Sequence, residues 1–283
     1  MALFFNVSVL GSSVEKSRFD RYARIVACTR MVKPRIAESG QELPGVFDVK
    51  AYDRLVRRLR DRGWIETDLI LRTGISQGLA LEIGSGPGYL GLEWLKKTEG
   101  TNLRALDISP KMLMIAKGNA REYGIPDRVS YIKGDAQEMP FSDGTFDGVF
   151  SSGSLHEWSQ PKKVFNEIRR VLKPGGRCCI IDLRRDMSPL VKCFIKLVAK
   201  PKEMKPWLVL SINASYTLVE VQSILGESDL RMFKIRNTAT GLVITGVKQL
   251  QFVQVPDAVP HGSSGHRLSN GVEASPARAV RGH

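Results

Sequence analysis

Glycines at positions 84, 86 and 88, just beyond Glu82 in the stretch LEIGSGPGYLG, are the first residues whose types and spacing could do chemistry. An apolar run that ends in glycines and passes into a helical pattern brings backbone amides close to a ligand. The start of the helix adds partial positive charge. Dinucleotide sites use the spacing G-x-G-x-x-G, which lets the helix pack closely under a pyrophosphate. Here the spacing is G-S-G-P-G, and Glu82 would repel a pyrophosphate lying nearby. A ligand with an ammonium group and no phosphate would welcome the same carboxylate.

S-adenosylmethionine has that character, and two further acids fall in register with it. Asp107 ends LRALDIS, where its side chain can take both ribose hydroxyls as donors, a feature shared with dinucleotide folds. Asp135 follows YIK in YIKGDAQEMPF, placed to accept from an exocyclic adenine amine. Farther on, SGSLHEW brings His156, Glu157 and Trp158 to where an acceptor would lie. His156 could take a proton, since an ordinary pKa of ~6.5 leaves imidazole mostly neutral near pH 7; the alternative is a histidine packed at a strand end. Trp158 could line an apolar pocket or join the core. The four cysteines, Cys28, Cys178, Cys179 and Cys193, form no CxxC pair and have no histidine at ligand spacing. Neither a metal site nor a disulfide framework is expected.

These residues need elements to position them. From about residue 78, short apolar runs alternate with helical patterns. GLALEIG, LRALDI, VSYIKGD, FDGVFSS and RCCIIDL read as strands, with YLGLEWLKKT, SPKMLMIAKGNAREYG and PKKVFNEIRRVLK as the helices between them. Ser109 is a cap and Pro110 a first helical residue. In the last helix Val164, Ile168, Val171 and Leu172 share one face. Strand and helix alternating in this way predicts an α/β fold with a parallel sheet covered on both faces. MSPLVKCFIKLVAKPKEMKPWLVL and VEVQSILGE are patterned as helices, and MFKIRNT with GLVITGVK as a closing hairpin. FDVKAYDRLVRRLRDRGW predicts an amphipathic helix with its arginines on the surface, and residues 1 to 45 read as mostly helical. Beyond about Gln254 no periodicity survives, so a disordered tail is expected.

Four ordered motifs, LEIGSGPG, ALDISPKML, GDAQEMPFSDGTFDGVFSSGSLHEW and EIRRVLKPGG, resemble those of the class I S-adenosylmethionine-dependent methyltransferases of the UbiE-like (methyltransferase type 11) small-molecule branch. They cover roughly residues 78 to 183, and the hairpin extends the match to about 248. The resemblance implies a doubly wound, mostly parallel seven-stranded sheet with helical lid additions. It also implies that Glu82, Gly84, Gly86 and Gly88 cradle the methionine part of the cofactor and that Asp107 holds the ribose. Ile108 would pack on the adenine, Asp135 and Ala136 would read its edge, and the backbone near Ser151 would take the methionine amine. The expected division is an N-terminal helical extension over 1–77, a cofactor-binding core over 78–183 and a helical lid insertion over 184–215. A helix with the hairpin follows over 216–250, then the tail over 251–283.

Charge bears on partners. The formal net charge is +13, with the excess in the flanks and a nearly neutral middle. Lys192, Lys196 and Lys200 recur every four residues beside an apolar face of Leu190, Val191, Phe194, Leu197 and Val198, which suits peripheral contact of the basic helix over 187–205 with an anionic membrane. The same pattern fits RNA phosphates or a lid with a solvated face. Nucleic-acid bases are disfavoured as acceptors, because the position after the fourth strand reads SSGS and no cysteine falls near it. No run approaches the ~18 to 20 apolar residues of a membrane helix, and MALFFNVSVLGSS lacks a basic n-region, so a cytoplasmic enzyme is expected. The expected reaction moves a methyl group to an O, S, N or C nucleophile of a small molecule, apolar if the lid meets lipid. The rival functions are an RNA or protein methyltransferase, a non-catalytic cofactor-binding partner subunit, and more distantly a nicotinamide oxidoreductase.

Overall fold

The computed structural model describes residues 33–37 and 48–249. The expectations for residues 1 to 32, for Cys28 and for the tail beyond 249 lie outside the described residues. The segment 33–37 is not helical.

Seven strands form one sheet in the order β3-β2-β1-β4-β5-β7-β6. They are β1 (Leu79–Ile83), β2 (Asn102–Asp107), β3 (Val129–Lys133), β4 (Phe146–Ser152), β5 (Leu172–Leu183), β6 (Lys234–Asn237) and β7 (Gly241–Val247). The first five pair in parallel, and the order reverses between β1 and β4. The closing hairpin is present, with β7 pairing antiparallel to both β5 and β6. The sequence pattern begins the fifth strand at RCCIIDL, after KPGG. Instead β5 runs from Leu172 through those residues, with a register shift against β4 between Phe146 and Gly148 that absorbs them.

Helices cover both faces. On one side α2 (Thr67–Arg72), α3 (Tyr89–Lys96) and α4 (Pro110–Glu122) bury Ile70, Leu92, Trp94, Leu95 and Ala120 against Ala80, Leu103, Phe150 and Cys179. On the other side α5 (Pro161–Val171) and α8 (Leu218–Gly226) bury Val164, Phe165, Ile168, Val221 and Leu225 against Leu81, Ile83, Val149 and Cys178. Neighbouring strand residues thus serve opposite cores, which is why Cys178 and Cys179 part company. Ser109 caps α4 by accepting from the Met112 N–H, with Pro110 at its first position.

Two regions depart from the sequence expectation. The segment after β5 breaks into α6 (Pro189–Val198), a 3-10 turn and α7 (Lys205–Ala214), since Pro201 and Pro206 cannot donate to a continuous helix. In α1 (Val49–Asp61), Arg57 and Arg60 do not face only water. Arg60 donates to the Tyr123 hydroxyl at 2.9 Å and lies 4.8 Å over the Tyr89 ring, and Arg57 reaches Asn119 and Glu122. Those contacts fix α1 across α3 and α4. Among the described residues no single helix is long and apolar enough to cross a membrane.

Candidate cofactor and acceptor site

The glycine loop links β1 to α3, and its shape requires glycine. Gly84, Gly86 and Gly88 have φ of 67°, 51° and 84°. A Cβ on Gly84 would stand 2.6 Å from the Ser154 Cβ, and one on Gly88 2.9 Å from the Tyr131 hydroxyl. Tyr52 of α1 lies over Gly86, where an added Cβ would meet its ring at 3.5 Å.

The loop's amides are already committed. Gly84 and Ser85 donate to the Leu106 carbonyl, Gly88 donates to the Ser85 carbonyl, Gly86 donates to Asp107 Oδ2 at 2.7 Å, and Pro87 has no N–H. A pyrophosphate would find none of these donors. A cofactor held by its ribose and adenine through side chains does not need them.

Asp107 stands at the end of β2 and accepts from Gly86, Ile108 and Ser109 backbone N–H groups. Burial pushes its carboxyl above the usual range, while these three donors pull the other way. About one lone-pair site remains for a ribose hydroxyl. Next to it Ile108 is 67 % exposed, an apolar surface at the mouth of the site. Asp135 is exposed, and its Oδ1 accepts from the Gln137 N–H at 2.8 Å while the Gln137 amide reaches both oxygens. Ala136 is half-buried against the core. Ser151 is buried at the end of β4, where its hydroxyl donates to the Ile83 carbonyl at 2.8 Å and lies 2.6 Å from Ser154 Oγ.

Glu82 lies in β1, just before the glycine loop. It is 2 % exposed beneath the start of α3, where it accepts from the Gly91 N–H and its Oε2 lies where a Cβ on Gly91 would go. Burial drives its carboxyl well above the usual range, and Asp107 adds repulsion. From there Glu82 holds the helix to the loop through the Gly91 N–H. Its Oε2, Ser85 Oγ and the Tyr131 hydroxyl are buried without partners around this loop, so the cradle is built for polar contacts the protein alone does not complete.

The acceptor side lies over β4 and β5. His156, in the 3-10 turn Leu155–Glu157, is buried with its Nδ1 2.8 Å from Asp182 Oδ1 and 3.0 Å from Oδ2. Asp182, near the end of β5, also accepts from the His156 backbone N–H at 2.7 Å and from the Leu183 N–H at 2.7 Å. An ionised carboxylate accepts only, so Nδ1 carries the hydrogen and Nε2 is the basic nitrogen. Trp158 packs edge-on against Phe165, ring centres 5.9 Å apart, within the core. Glu157 is exposed.

Three residues of this side were missed in addition to Asp182. Arg35 donates to the His156 carbonyl at 2.8 Å and the Ala214 carbonyl at 2.6 Å, with its guanidinium 4.1 Å over the Tyr216 ring. Arg185 donates to the carbonyls of Lys33 and Ser215 and pairs with Glu220 through two hydrogen bonds. Together they tie the 33–37 segment, the histidine turn and the junction between α7 and α8. Glu66, just before α2, is the third. The sequence signal for Asp182 was an acid closing the apolar run CCIID; Arg35 and Glu66 gave none.

Residues 81–180 match the family model of the methyltransferase domain. The chain is 25 % identical over 238 residues to the ubiquinone/menaquinone biosynthesis C-methyltransferase UbiE of Hahella chejuensis, covering 75 % of this chain and 94 % of that one. It is 30 % identical to 2-methyl-6-phytyl-1,4-hydroquinone methyltransferase 1 of rice, over 60 % of this chain and half of the rice protein. Among solved structures, a putative S-adenosyl-L-methionine-dependent methyltransferase from Methanococcus maripaludis superposes with a TM-score of 0.57 at 27 % identity, over 75 % of this chain and 99 % of that one. A SAM-dependent methyltransferase from Aquifex aeolicus shares the fold with a TM-score of 0.54 at 22 % identity, over 72 % of this chain and all of that one. Fold and loop thus define a methyltransferase, an enzyme whose family uses S-adenosylmethionine. Within that class the chain is similar to the UbiE-type C-methyltransferases and to S-adenosylmethionine-dependent methyltransferases of known structure.

Proposed function

We propose that this enzyme transfers the methyl group of S-adenosylmethionine to a nucleophile on a small, apolar acceptor, with His156 as the proton acceptor. The observation that carries the reading is the buried His156–Asp182 pair at the ends of β4 and β5, beside the glycine loop. The bound cofactor supplies an electrophilic methyl group on a sulfonium. Gly84, Gly86 and Gly88 keep the loop open to the methionine part, Asp107 orients the ribose, Ile108 covers the adenine, and Asp135 with Ala136 meets its edge. The backbone near Ser151 receives the amine. Asp182 fixes the imidazole so that Nε2 takes the proton the nucleophile gives up as its bond to the methyl carbon forms. The lid elements exclude water.

An apolar acceptor is favoured by the relatives, whose names refer to ubiquinone and menaquinone biosynthesis and to a phytyl hydroquinone. A second observation favours a membrane route for it. On α6, Leu190, Phe194 and Leu197 are 83, 55 and 71 % exposed. Lys192, Lys196, Lys200, Lys202 and Lys205 around them form no ion pair among the described residues. These features support peripheral contact of the 187–205 region of a cytoplasmic protein with anionic lipid. The experiment is turnover of labelled cofactor against a panel of hydroquinones and phenols, with Asp182→Asn and His156→Ala as controls. Conversion that survives both substitutions would remove His156 from the reaction. Sedimentation with phosphatidylglycerol vesicles, lost in Leu190→Ser/Phe194→Ser, tests the lipid contact.

A further inference from the structure

The ends of β4 and β5 hold more negative charge than the histidine needs. Glu66 turns its carboxylate to the tip of β4, where it accepts from the Ser152 hydroxyl at 3.1 Å and from its own backbone N–H. Burial pushes this carboxyl upward, and repulsion from Asp182 on β5 adds to the shift. The Cys179 thiol, raised by burial, feels Glu66 as well. No lysine, arginine or histidine pairs with Glu66 among the described residues, although the chain carries a formal net charge of +13. The adjacent Thr67 hydroxyl is likewise buried with no partner. Withdrawing a carboxylate partly from water without a counter-charge is costly, and such groups concentrate at functional sites.

The position says what supplies the missing charge. Ser152 follows Ser151, whose hydroxyl is bonded to the last carbonyl of β1. Ligands of open α/β sheets bind outside the carboxyl ends of the strands where the order reverses, here between β1 and β4. We infer that Glu66 is a cation-receiving residue of the cofactor site, its carboxylate facing a positive centre of S-adenosylmethionine at the tip of β4. The inference rests on the proposed placement of the cofactor over the glycine loop.

Three ligands separate the possible positive centres. S-adenosylmethionine carries a sulfonium and an α-ammonium, S-adenosylhomocysteine only the ammonium, and 5′-methylthioadenosine neither. Calorimetric titration of the wild type and Glu66→Gln with each is the test. The substitution should weaken S-adenosylmethionine binding tenfold or more and leave methylthioadenosine unchanged. An equal loss for S-adenosylhomocysteine identifies the ammonium, and an unchanged affinity identifies the sulfonium. Glu66→Asp should recover part of the loss. Without ligand, Glu66→Gln should melt no lower than the wild type, because it removes an uncompensated charge. S-adenosylmethionine affinity within twofold of wild type in Glu66→Gln overturns the assignment, and a lower melting point with that result leaves Glu66 a structural residue of the turn before α2. A wild type that binds methylthioadenosine but gains nothing from either positive centre also overturns it. A wild type that binds none of the three overturns the cofactor placement itself.

Discussion

Replacing Asp182 by asparagine tests the acceptor side most directly, because the cost follows from its hydrogen bonds. The carboxylate receives three N–H donors, from the His156 backbone, the Leu183 backbone and His156 Nδ1, on two oxygens that are nearly inaccessible to water. Asparagine offers one oxygen and one NH2 group. Oδ1 serves Leu183 and Oδ2 serves the His156 backbone, so either orientation sets the NH2 against a backbone N–H. One charge-assisted bond is lost, worth about 1.5–3 kcal/mol, and a buried donor is left unpaired at a cost of the same order. A total of roughly 3–6 kcal/mol is expected, which lowers the melting point by about 6–24 °C in a domain of this size. Denaturant unfolding of wild type, Asp182→Asn, His156→Ala and the double variant should give a coupling energy above ~1 kcal/mol. A coupling below ~0.5 kcal/mol, or a single-variant loss under 1 kcal/mol, would refute the reasoning that Asp182 anchors the histidine.

Asp107→Ala should weaken S-adenosylmethionine binding by about 1.5–3 kcal/mol in calorimetry, since the ribose and Gly86 both lose a charged acceptor; an unchanged affinity rejects the ribose assignment. Gly84→Ala should destabilise the fold by at least ~1 kcal/mol through its positive φ and the Ser154 contact, and Ser154→Gly should recover only the steric part. Burial alone would raise the Glu220 carboxyl, but the Arg185 and Thr217 hydrogen bonds outweigh it and hold it at about 2. A depressed acid stabilises above its unfolded pKa of ~4.3 and loses that contribution as pH falls toward 2. Unfolding measured at pH 5 and pH 3 should therefore show a smaller pH effect in Glu220→Gln than in wild type, and equal slopes would count against the Arg185 pair.

What could be read from the sequence was what the chain encodes locally. The strand ending at Ile83, the glycine loop, the Ser109–Pro110 helix start and the apolar face of α5 each depend on residues within a turn or two, and each is present. The acceptor side depends on pairs remote in the chain. Ser152 meets Glu66 across 86 positions, Arg35 meets His156 across 121, and Asp182 meets His156 across 26. No periodicity announces such meetings. Glu82 also makes a contact that its charge did not announce: it lies beneath α3, where it accepts from the Gly91 N–H. Trp158 and the α1 arginines also took packing roles that composition alone could not separate from functional ones.

The place of β7 bears on how the enzyme comes into being. β5 carries Asp182, yet one of its neighbours is the last strand of the sheet, residues 241–247, which enters between β5 and β6. While the polypeptide emerges from the ribosome, β5 therefore keeps one flank of unpaired N–H and C=O groups after the glycine loop, α4 and the histidine turn have been made. The cofactor half can assemble early, whereas the proton-handling half waits for the final hairpin. Nascent chains halted before residue 241 should be the ones that chaperones hold and proteases clear.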